Sequence, residues 1–174
     1  MQLKTILNRI QKFNCFVYGS VRWVEDAQES TIEADLRPRA NSRPICAGCG
    51  HKRPGYDRLP TRSFEFVPMW GIKVFFRYAP RRVDCPSCGI RVERMPWSEG
   101  KHRLTETYAW FLAGWARRLS WKEVAEAFRT SWDHVFCSVE MAVARFSSFA
   151  GKYRPGPGSL TGVQAQFRRF WRWK

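Results

Sequence analysis

Two Cys-x-x-Cys pairs constrain the fold of this chain more than any other feature of its sequence. They are Cys46/Cys49 and Cys85/Cys88, separated by 35 residues, and a glycine follows each pair directly. A two-residue spacer lets the chain fold into a tight knuckle with both sulfurs facing one point, and the glycine accepts a positive φ. Four thiolates form the closed tetrahedral shell of a structural zinc site. The spacing therefore predicts one structural zinc ion bound by these four cysteines.

Other interpretations of the cysteines fit the sequence less well. Disulfides are not expected in a reducing cytosol. A redox motif would require a strand before and a helix after each pair, whereas proline and glycine surround both pairs. His51 could replace one ligand, but we expect it at the surface or facing a phosphate. Cys15 lies in an apolar, strand-like run and Cys137 in a helical run, so both are predicted to be small buried residues.

The charge of the chain indicates a polyanionic partner. Its 174 residues carry 30 Lys and Arg against 15 Asp and Glu, a net charge of +15. Residues 37–103 hold +10 of this charge and residues 151–174 hold +6. Such a balance favours nucleic acid or an anionic membrane surface. Because 44% of the residues are apolar and 16% aromatic, most of the chain should fold.

No segment predicts export or insertion into a membrane. The longest nearly apolar run, residues 108–116, is far shorter than the roughly 20 residues that cross a bilayer. The N-terminus carries Lys4, Arg9 and Lys12 among its apolar positions and lacks a small-residue cleavage site. We therefore expect an intracellular protein with no membrane partner.

Residues 1–103 are predicted to form a strand-rich, basic, zinc-binding domain. An amphipathic helix at the N-terminus carries Leu3, Ile6, Leu7 and Ile10 on one face. Strands are predicted at residues 16–24, 31–36, 63–67 and 72–78. The last two would be joined by a turn at Pro68–Gly71, which predicts a hairpin of the zinc-ribbon type.

Arginines between and around the cysteine pairs are candidates for contacts with phosphate. They are interleaved with aromatic residues, as on surfaces that bind nucleic acid, and the alternative is a solvated basic face. The candidates are Arg53, Arg58, Arg62, Arg77, Arg81 and Arg82.

Residues 104–150 are predicted to form a helix-turn-helix domain. Thr105 caps a first helix that runs to about Leu119, and Ser120 with Glu123 forms a capping box that opens a short second helix through Phe128. Ser131 would cap a third helix, residues 132–149. The inward residues Val124, Ala125, Phe128 and Val135 fit helix-turn-helix spacing, and a plain three-helix core is the alternative.

In a helix-turn-helix the second of the paired helices enters the major groove with its N-terminal residues. Here that helix begins at Trp132, and basic residues precede it. The predicted DNA contacts of this domain are Arg117, Arg118, Lys122, Ser131, Trp132, Asp133 and His134.

The order of these features resembles the N-terminal part of ISL-three family transposases of bacterial insertion sequences. The likeness covers roughly residues 30–145 and rests on the four cysteines, the run Arg81 to Gly89 and the run Leu119 to Ala125. It implies that a zinc-binding domain and a helix-turn-helix recognise the terminal inverted repeats of an element. In that family a later ribonuclease-H-like domain with a DDE carboxylate triad cuts and joins DNA.

The sequence departs from that family after the third helix. Glu140 is the last acidic residue and the chain ends 34 residues later, so no carboxylate triad for metal-dependent phosphoryl transfer is expected. Residues 151–174 are predicted to be a basic, disordered tail. We therefore expect a chain truncated before the catalytic domain, which is not an enzyme and which acts in transposition and DNA recombination by binding DNA.

The predicted fold class is α+β, with a small zinc-bound, zinc-ribbon-like β module followed by a helical helix-turn-helix module. The expected partner is double-stranded DNA at the element ends, in the bacterial cytoplasm at the nucleoid. Formation of a homodimer is left open by the sequence. The alternative function is a zinc-ribbon adaptor that binds RNA or a protein.

Overall fold

A computed structural model of the protein describes residues 3–25, 29–100 and 102–150. They form four helices: α1 Leu3–Ile10, α2 Glu106–Trp115, α3 Trp121–Ala127 and α4 Trp132–Ala150. They also form seven strands: β1 Phe16–Glu25, β2 Ser30–Pro38, β3 Gly55–Arg58, β4 Arg62–Met69, β5 Ile72–Tyr78, β6 Arg81–Cys85 and β7 Gly89–Val92. The α+β fold class is confirmed. The predicted disordered tail, residues 151–174, lies outside the described residues.

The main sheet has four strands in the order β1-β2-β5-β4. Strands β1 and β2 form an antiparallel pair, β5 runs parallel to β2, and β4 is antiparallel to β5. Alternate residues of the two central strands face the core because side chains in a strand point to opposite faces in turn. The buried residues of these strands are Ile32, Ala34 and Leu36 in β2, and Val74, Phe76 and Tyr78 in β5.

Trp97 lies at the centre of the core that covers this sheet. Its ring centroid is 4.8–6.1 Å from those of Phe13, Phe16, Phe64 and Tyr78. Helix α1 closes the core with Leu7, which is fully buried. The amphipathic N-terminal helix is thus confirmed, and burial of its apolar face holds it against the sheet.

The cysteine pairs belong to a second, smaller sheet with the order β3-β6-β7. The first pair lies in a loop whose Cys46 bridges to Glu93, just after β7, and the second pair forms the turn between β6 and β7. The hairpin predicted at residues 63–67 and 72–78 is confirmed as β4 and β5, but it lies in the main sheet and not in the sheet that holds the cysteine pairs. The hairpin joins the main sheet through the parallel pairing of β5 with β2, and its residues Phe64, Phe66 and Phe76 all enter the aromatic core.

Helices α2, α3 and α4 pack around a core of their own. Its fully or nearly fully buried members are Leu104, Tyr108, Leu112, Val124 and Val135. The predicted Thr105 cap and the capping box of Ser120 with Glu123 are confirmed. Helix α2 ends at Trp115 and not near Leu119, because the chain tightens into a turn in which the Arg118 and Leu119 amides both donate to the Trp115 carbonyl.

The helices are attached to the main sheet through β4. The Thr105 amide and hydroxyl both donate to the Glu65 carbonyl, at 2.8 and 3.0 Å, and Val67 packs against the helical core. No helix in the described part of the chain is long and apolar enough to cross a membrane.

Candidate metal centre and nucleic-acid interface

The four predicted cysteine ligands come together in the second sheet. The sulfurs of Cys46, Cys49, Cys85 and Cys88 all lie within 4.8 Å of one another, and the Cys49 and Cys85 sulfurs are 3.5 Å apart. Tetrahedral bonds of about 2.3 Å from zinc would place neighbouring sulfurs roughly 3.8 Å apart. The donor set and its spacing therefore fit one metal ion.

The backbone of each knuckle turns tightly around this point. The Gly50 amide donates to the Cys46 carbonyl at 2.9 Å, and Gly50 and Gly89 adopt φ angles of 74° and 69°. Within the first knuckle, a Cβ atom on Gly48 would lie 3.0 Å from the Cys88 sulfur. A larger residue at this position would push against the sulfur cluster, so the loop is shaped to bring the two pairs together.

Polar neighbours favour the thiolate form at two of the cysteines. Hydrogen bonds from His51 lower the pKa of Cys49 to about 5, and the largest contribution comes from the His51 backbone. The hydroxyl of Ser87, 3.4 Å away, lowers the pKa of Cys85 to about 7, whereas burial raises the pKa of Cys88 to about 11. Because thiolates and not thiols bind metal, the cluster is partly prepared for a cation.

Arg53, a predicted phosphate contact, lies beside the cysteine cluster. Hydrogen bonding to Cys85 and, to a smaller extent, to Cys49 raises the pKa of its guanidinium. A cation at this position offsets the negative charge of a four-thiolate site. The two remaining cysteines, Cys15 and Cys137, stand apart from the cluster and are half-buried, so the prediction that both are buried was wrong.

Three other predicted phosphate contacts are engaged in ion pairs. Arg81 pairs with the buried Glu93 at 2.7 Å, and its second Nη donates to the Ser42 carbonyl at 3.0 Å. Arg77 pairs with Glu33 at 3.0 Å. The Arg82 guanidinium pairs with the exposed Asp57 carboxylate, which would compete with phosphate for it. These arginines already have partners within the fold.

The other two predicted arginines of the strand region differ in exposure. Arg58 is exposed at the end of β3, whereas Arg62 is half-buried with its guanidinium 5.1 Å above the Phe64 ring. Four further basic residues around the second sheet are exposed, and the sequence pattern did not predict them as candidates. They are Arg43, Lys52, Arg91 and Arg94.

Helices α3 and α4 are joined by the short connection at residues 128–131, as a helix-turn-helix requires. Val124 of α3 and Val135 of α4 are both fully buried in the helical core. Arg129 adopts a φ of 49° in the turn, where glycine is common. The Ser131 hydroxyl accepts from the His134 amide at 3.2 Å, which caps the start of α4.

The exposed face at the start of α4 is aromatic. Trp132 and Phe136, which are 50% and 40% exposed, stack with centroids 5.5 Å apart, and Trp121 of α3 contacts both at 5.6 and 5.8 Å. We call these three residues the aromatic shelf. Asp133 is exposed beside it. The sequence placed Trp132 and Asp133 here, but the shelf depends on Trp121 from the other helix.

His134 does not share this face. Its Nδ1 lies 2.9 Å from the Thr130 hydroxyl and 3.8 Å from the buried Glu65 carboxylate of β4. Burial lowers the pKa of His134 and raises the pKa of Glu65. The ring therefore lies at the junction between α4 and the main sheet. Arg117, Arg118 and Lys122 are all exposed near the start of α3.

The chain has recognisable relatives among curated proteins. It is 30% identical over 127 residues to the transposase for insertion sequence element IS1557 of Mycobacterium tuberculosis, in two strains, covering 67% of this chain and 28% of that protein. It is 27% identical over 128 residues to the transposase for insertion sequence element IS1001 of Bordetella parapertussis, covering 73% of this chain and 31% of that protein. These homologues are insertion-sequence transposases.

The chain spans less than a third of the length of these curated relatives. No protein-family model matches it, and no solved structure matches it significantly. The predicted resemblance to insertion-sequence transposases is confirmed, whereas the ISL-three family stays a prediction. The relatives' names give no support to the alternative of an adaptor for RNA or protein.

Proposed function

We propose that this chain recognises double-stranded DNA at the ends of an insertion sequence, in the bacterial cytoplasm. The observation that carries the proposal is the similarity to two insertion-sequence transposases over about 70% of the chain. The net charge of +15 and the helix-turn-helix geometry support it. In this proposal the chain supplies DNA recognition in transposition, and cutting and joining belong to other parts of such proteins.

Zinc is the metal that we assign to the cysteine cluster. Four sulfur ligands with tetrahedral spacing suit zinc or an iron–sulfur centre, and a single closed four-cysteine shell is the common structural zinc site. Cys46, Cys49, Cys85 and Cys88 would hold the ion and leave no open coordination position. The metal then fixes the second sheet and presents its exposed bases, including Arg58, to the DNA backbone.

Base reading is assigned to the start of α4. The residues that face outward there are Trp132, Asp133 and Phe136, and the first turn of this helix is the part that enters the major groove in helix-turn-helix proteins. An aromatic side chain can contact the thymine methyl group, and a carboxylate can accept from the cytosine amino group. His134 has a positioning role, because its ring contacts Thr130 and Glu65.

Phosphate contacts are tested by the salt dependence of binding. Arg118→Ala/Lys122→Ala should weaken binding to every duplex and lower the slope of log affinity against log salt by about one unit per lost contact. Arg9→Ala/Lys4→Ala is the matched control, since both side chains are exposed on α1, away from the helix-turn-helix. Affinity of the wild type that does not change from low to moderate salt would refute the proposal.

Base reading is tested by selection from a pool of random-sequence duplexes. The wild type should enrich one motif, and Trp132→Ala/Asp133→Ala should relax that motif while retaining most of the non-specific affinity. Val135→Ala is the structural control, because a cavity in the helical core should reduce both kinds of binding. If the double variant enriches the same motif as the wild type, these residues do not read the bases.

A further inference from the structure

The tip of the β4–β5 hairpin carries an unusual tryptophan. Met69 pairs with Ile72, so Trp70 and Gly71 form a two-residue loop with φ angles of 51° and 78°. Two-residue hairpin loops with both central φ angles positive favour Asn, Asp or Gly at the first position. A bulky residue with positive φ is a conformational outlier.

Packing does not account for this residue either. The Trp70 side chain is 82% exposed, more than any other large apolar side chain that the structure describes. Asparagine or glycine would serve the turn better, and a polar residue would suit the surface better. Backbone strain of this kind is concentrated at functional sites.

The strands next to the hairpin tip are linked to the turn between α3 and α4. Glu29 forms an ion pair with Lys73 of β5 at 2.7 Å and approaches Arg129 of that turn at 4.0 Å. Val67, near the end of β4, packs against the helical core. Because this turn directly precedes α4, a duplex bound at the start of α4 would come near the hairpin. The Arg129 side chain is 68% exposed.

We propose that Trp70 inserts between base pairs of the duplex that the helix-turn-helix binds. This inference rests on the proposed DNA-binding function. Apolar side chains that enter a base step unstack it partly and kink the duplex, and an indole stacks on any base. The hairpin is a rigid support for such a wedge, because β4 and β5 both lie within the main sheet.

Three substitutions of Trp70 separate the effect of its ring on DNA binding from its effect on the stability of the turn. Trp70→Gly and Trp70→Asn suit the positive φ and remove the ring, so both should raise the melting temperature, by about 2 °C for glycine. The same two variants should lose about tenfold in affinity for a random-sequence duplex. Trp70→Phe keeps a stacking ring and should retain most of the affinity. A structural role for Trp70 predicts the reverse, a lower melting temperature without a specific loss of DNA affinity.

Insertion of a wedge also unwinds DNA, which a plasmid assay detects. Relaxation of a closed circular plasmid by topoisomerase in the presence of wild-type protein should change its linking number, and Trp70→Gly at equal occupancy should not. If the wild type binds DNA and Trp70→Gly matches it in affinity and in unwinding, the wedge is refuted and the proposed function stands. If the wild type binds no duplex at all, both are refuted. Pull-down of a protein partner by the wild type alone, with equal DNA binding, would assign the ring to protein contact instead.

Discussion

The two sheets of this protein are stabilised in different ways. The main sheet is covered by a core of fourteen buried residues, eight of them aromatic, with Trp97 in contact with four other rings. Among the described residues, the apolar cluster of the second sheet contains three buried members, Cys46, Val83 and Cys85. Burial of apolar area is the main favourable term in folding, so three residues contribute little of it. The second sheet therefore depends mainly on polar links, whereas the main sheet depends mainly on burial of apolar side chains.

Two buried polar links are visible in the described residues of the second sheet, besides the more exposed ion pair of Asp57 with Arg82. One is the cysteine cluster, and the other is Glu93, which accepts hydrogen bonds from the Tyr78 hydroxyl and from the backbone and side chain of Arg81. Because Tyr78 ends β5 and Arg81 begins β6, Glu93 also joins the two sheets. Its backbone bridges to Cys46, so the joint and the metal site are neighbours in the fold.

Removal of the metal should have the largest effect on the stability of the fold. Structural zinc contributes on the order of 10 kcal/mol of apparent binding free energy to folding. With a chelator, amide hydrogens of β6 and β7 should lose their protection from exchange, while those of β2 and β5 keep theirs. Hydrogen exchange measured by mass spectrometry separates the two sheets.

Cys15→Ser is the control for metal removal, because Cys15 packs against the main core and lies outside the cluster. It should leave the metal content at one equivalent, whereas Cys85→Ser should abolish binding. Protein purified without chelators that holds less than about half an equivalent of metal would contradict the assignment. Equal loss of protection in both sheets would contradict their independence.

Loss of the Glu93 charge should have the next largest effect. Glu93→Gln leaves the guanidinium of Arg81, itself largely buried, without its carboxylate. Breaking a buried ion pair by removing one partner costs about 3–5 kcal/mol. The free energy of unfolding from denaturant titration should fall by this amount. Asp57→Asn removes the partner of the exposed Arg82 and is the matched control, with an effect far smaller than that of Glu93→Gln.

Local signals explain which parts of this fold could be predicted from the sequence. The capping box at Ser120, the cap at Thr105 and the spacing of Val124 and Val135 are encoded within a few residues of one another, and the helices begin where predicted. The cysteine cluster was predictable for the same reason. A two-residue spacer leaves the chain few ways to direct both sulfurs.

Long-range pairing explains what could not be predicted. Strand β3 is exposed along its whole length, so it shows no alternation to detect. The assignment of β4 and β5 to the main sheet depends on the parallel pairing of β5 with β2, which no local pattern encodes. The partners of the arginines are also distant, since Glu33 and Arg77 are 44 residues apart. The inward position of His134 likewise depends on Glu65 of another element.

The smallest expected effect on stability concerns the difference between two buried glutamates, Glu93 beside the second sheet and Glu65 in the main sheet. Glu93 is surrounded by donors, whereas burial of Glu65 raises its pKa, with Lys73 and Glu29 as weaker influences. A carboxyl group with a raised pKa in the folded state binds protons more tightly there than in the unfolded chain. It therefore destabilises the fold as pH rises from about 4.3, its unfolded value, through its folded pKa.

Glu65→Gln should accordingly unfold at a higher denaturant concentration than the wild type at pH 7, and the difference should shrink to zero as pH falls below about 4. His134, whose pKa burial lowers, adds a slope of opposite sign, and its ring lies 3.8 Å from the Glu65 carboxylate, so the same comparison in a His134→Gln background separates the two groups. Glu33→Gln is the matched control of opposite sign. Burial raises the pKa of Glu33, but hydrogen bonds from Arg77 and Arg22 outweigh it and hold that pKa below its ordinary value. This variant should be less stable than the wild type at pH 7 and equal to it in acid. A Glu65→Gln variant that is less stable than the wild type at pH 7 would show that Glu65, like Glu93, stabilises the fold as a charged group.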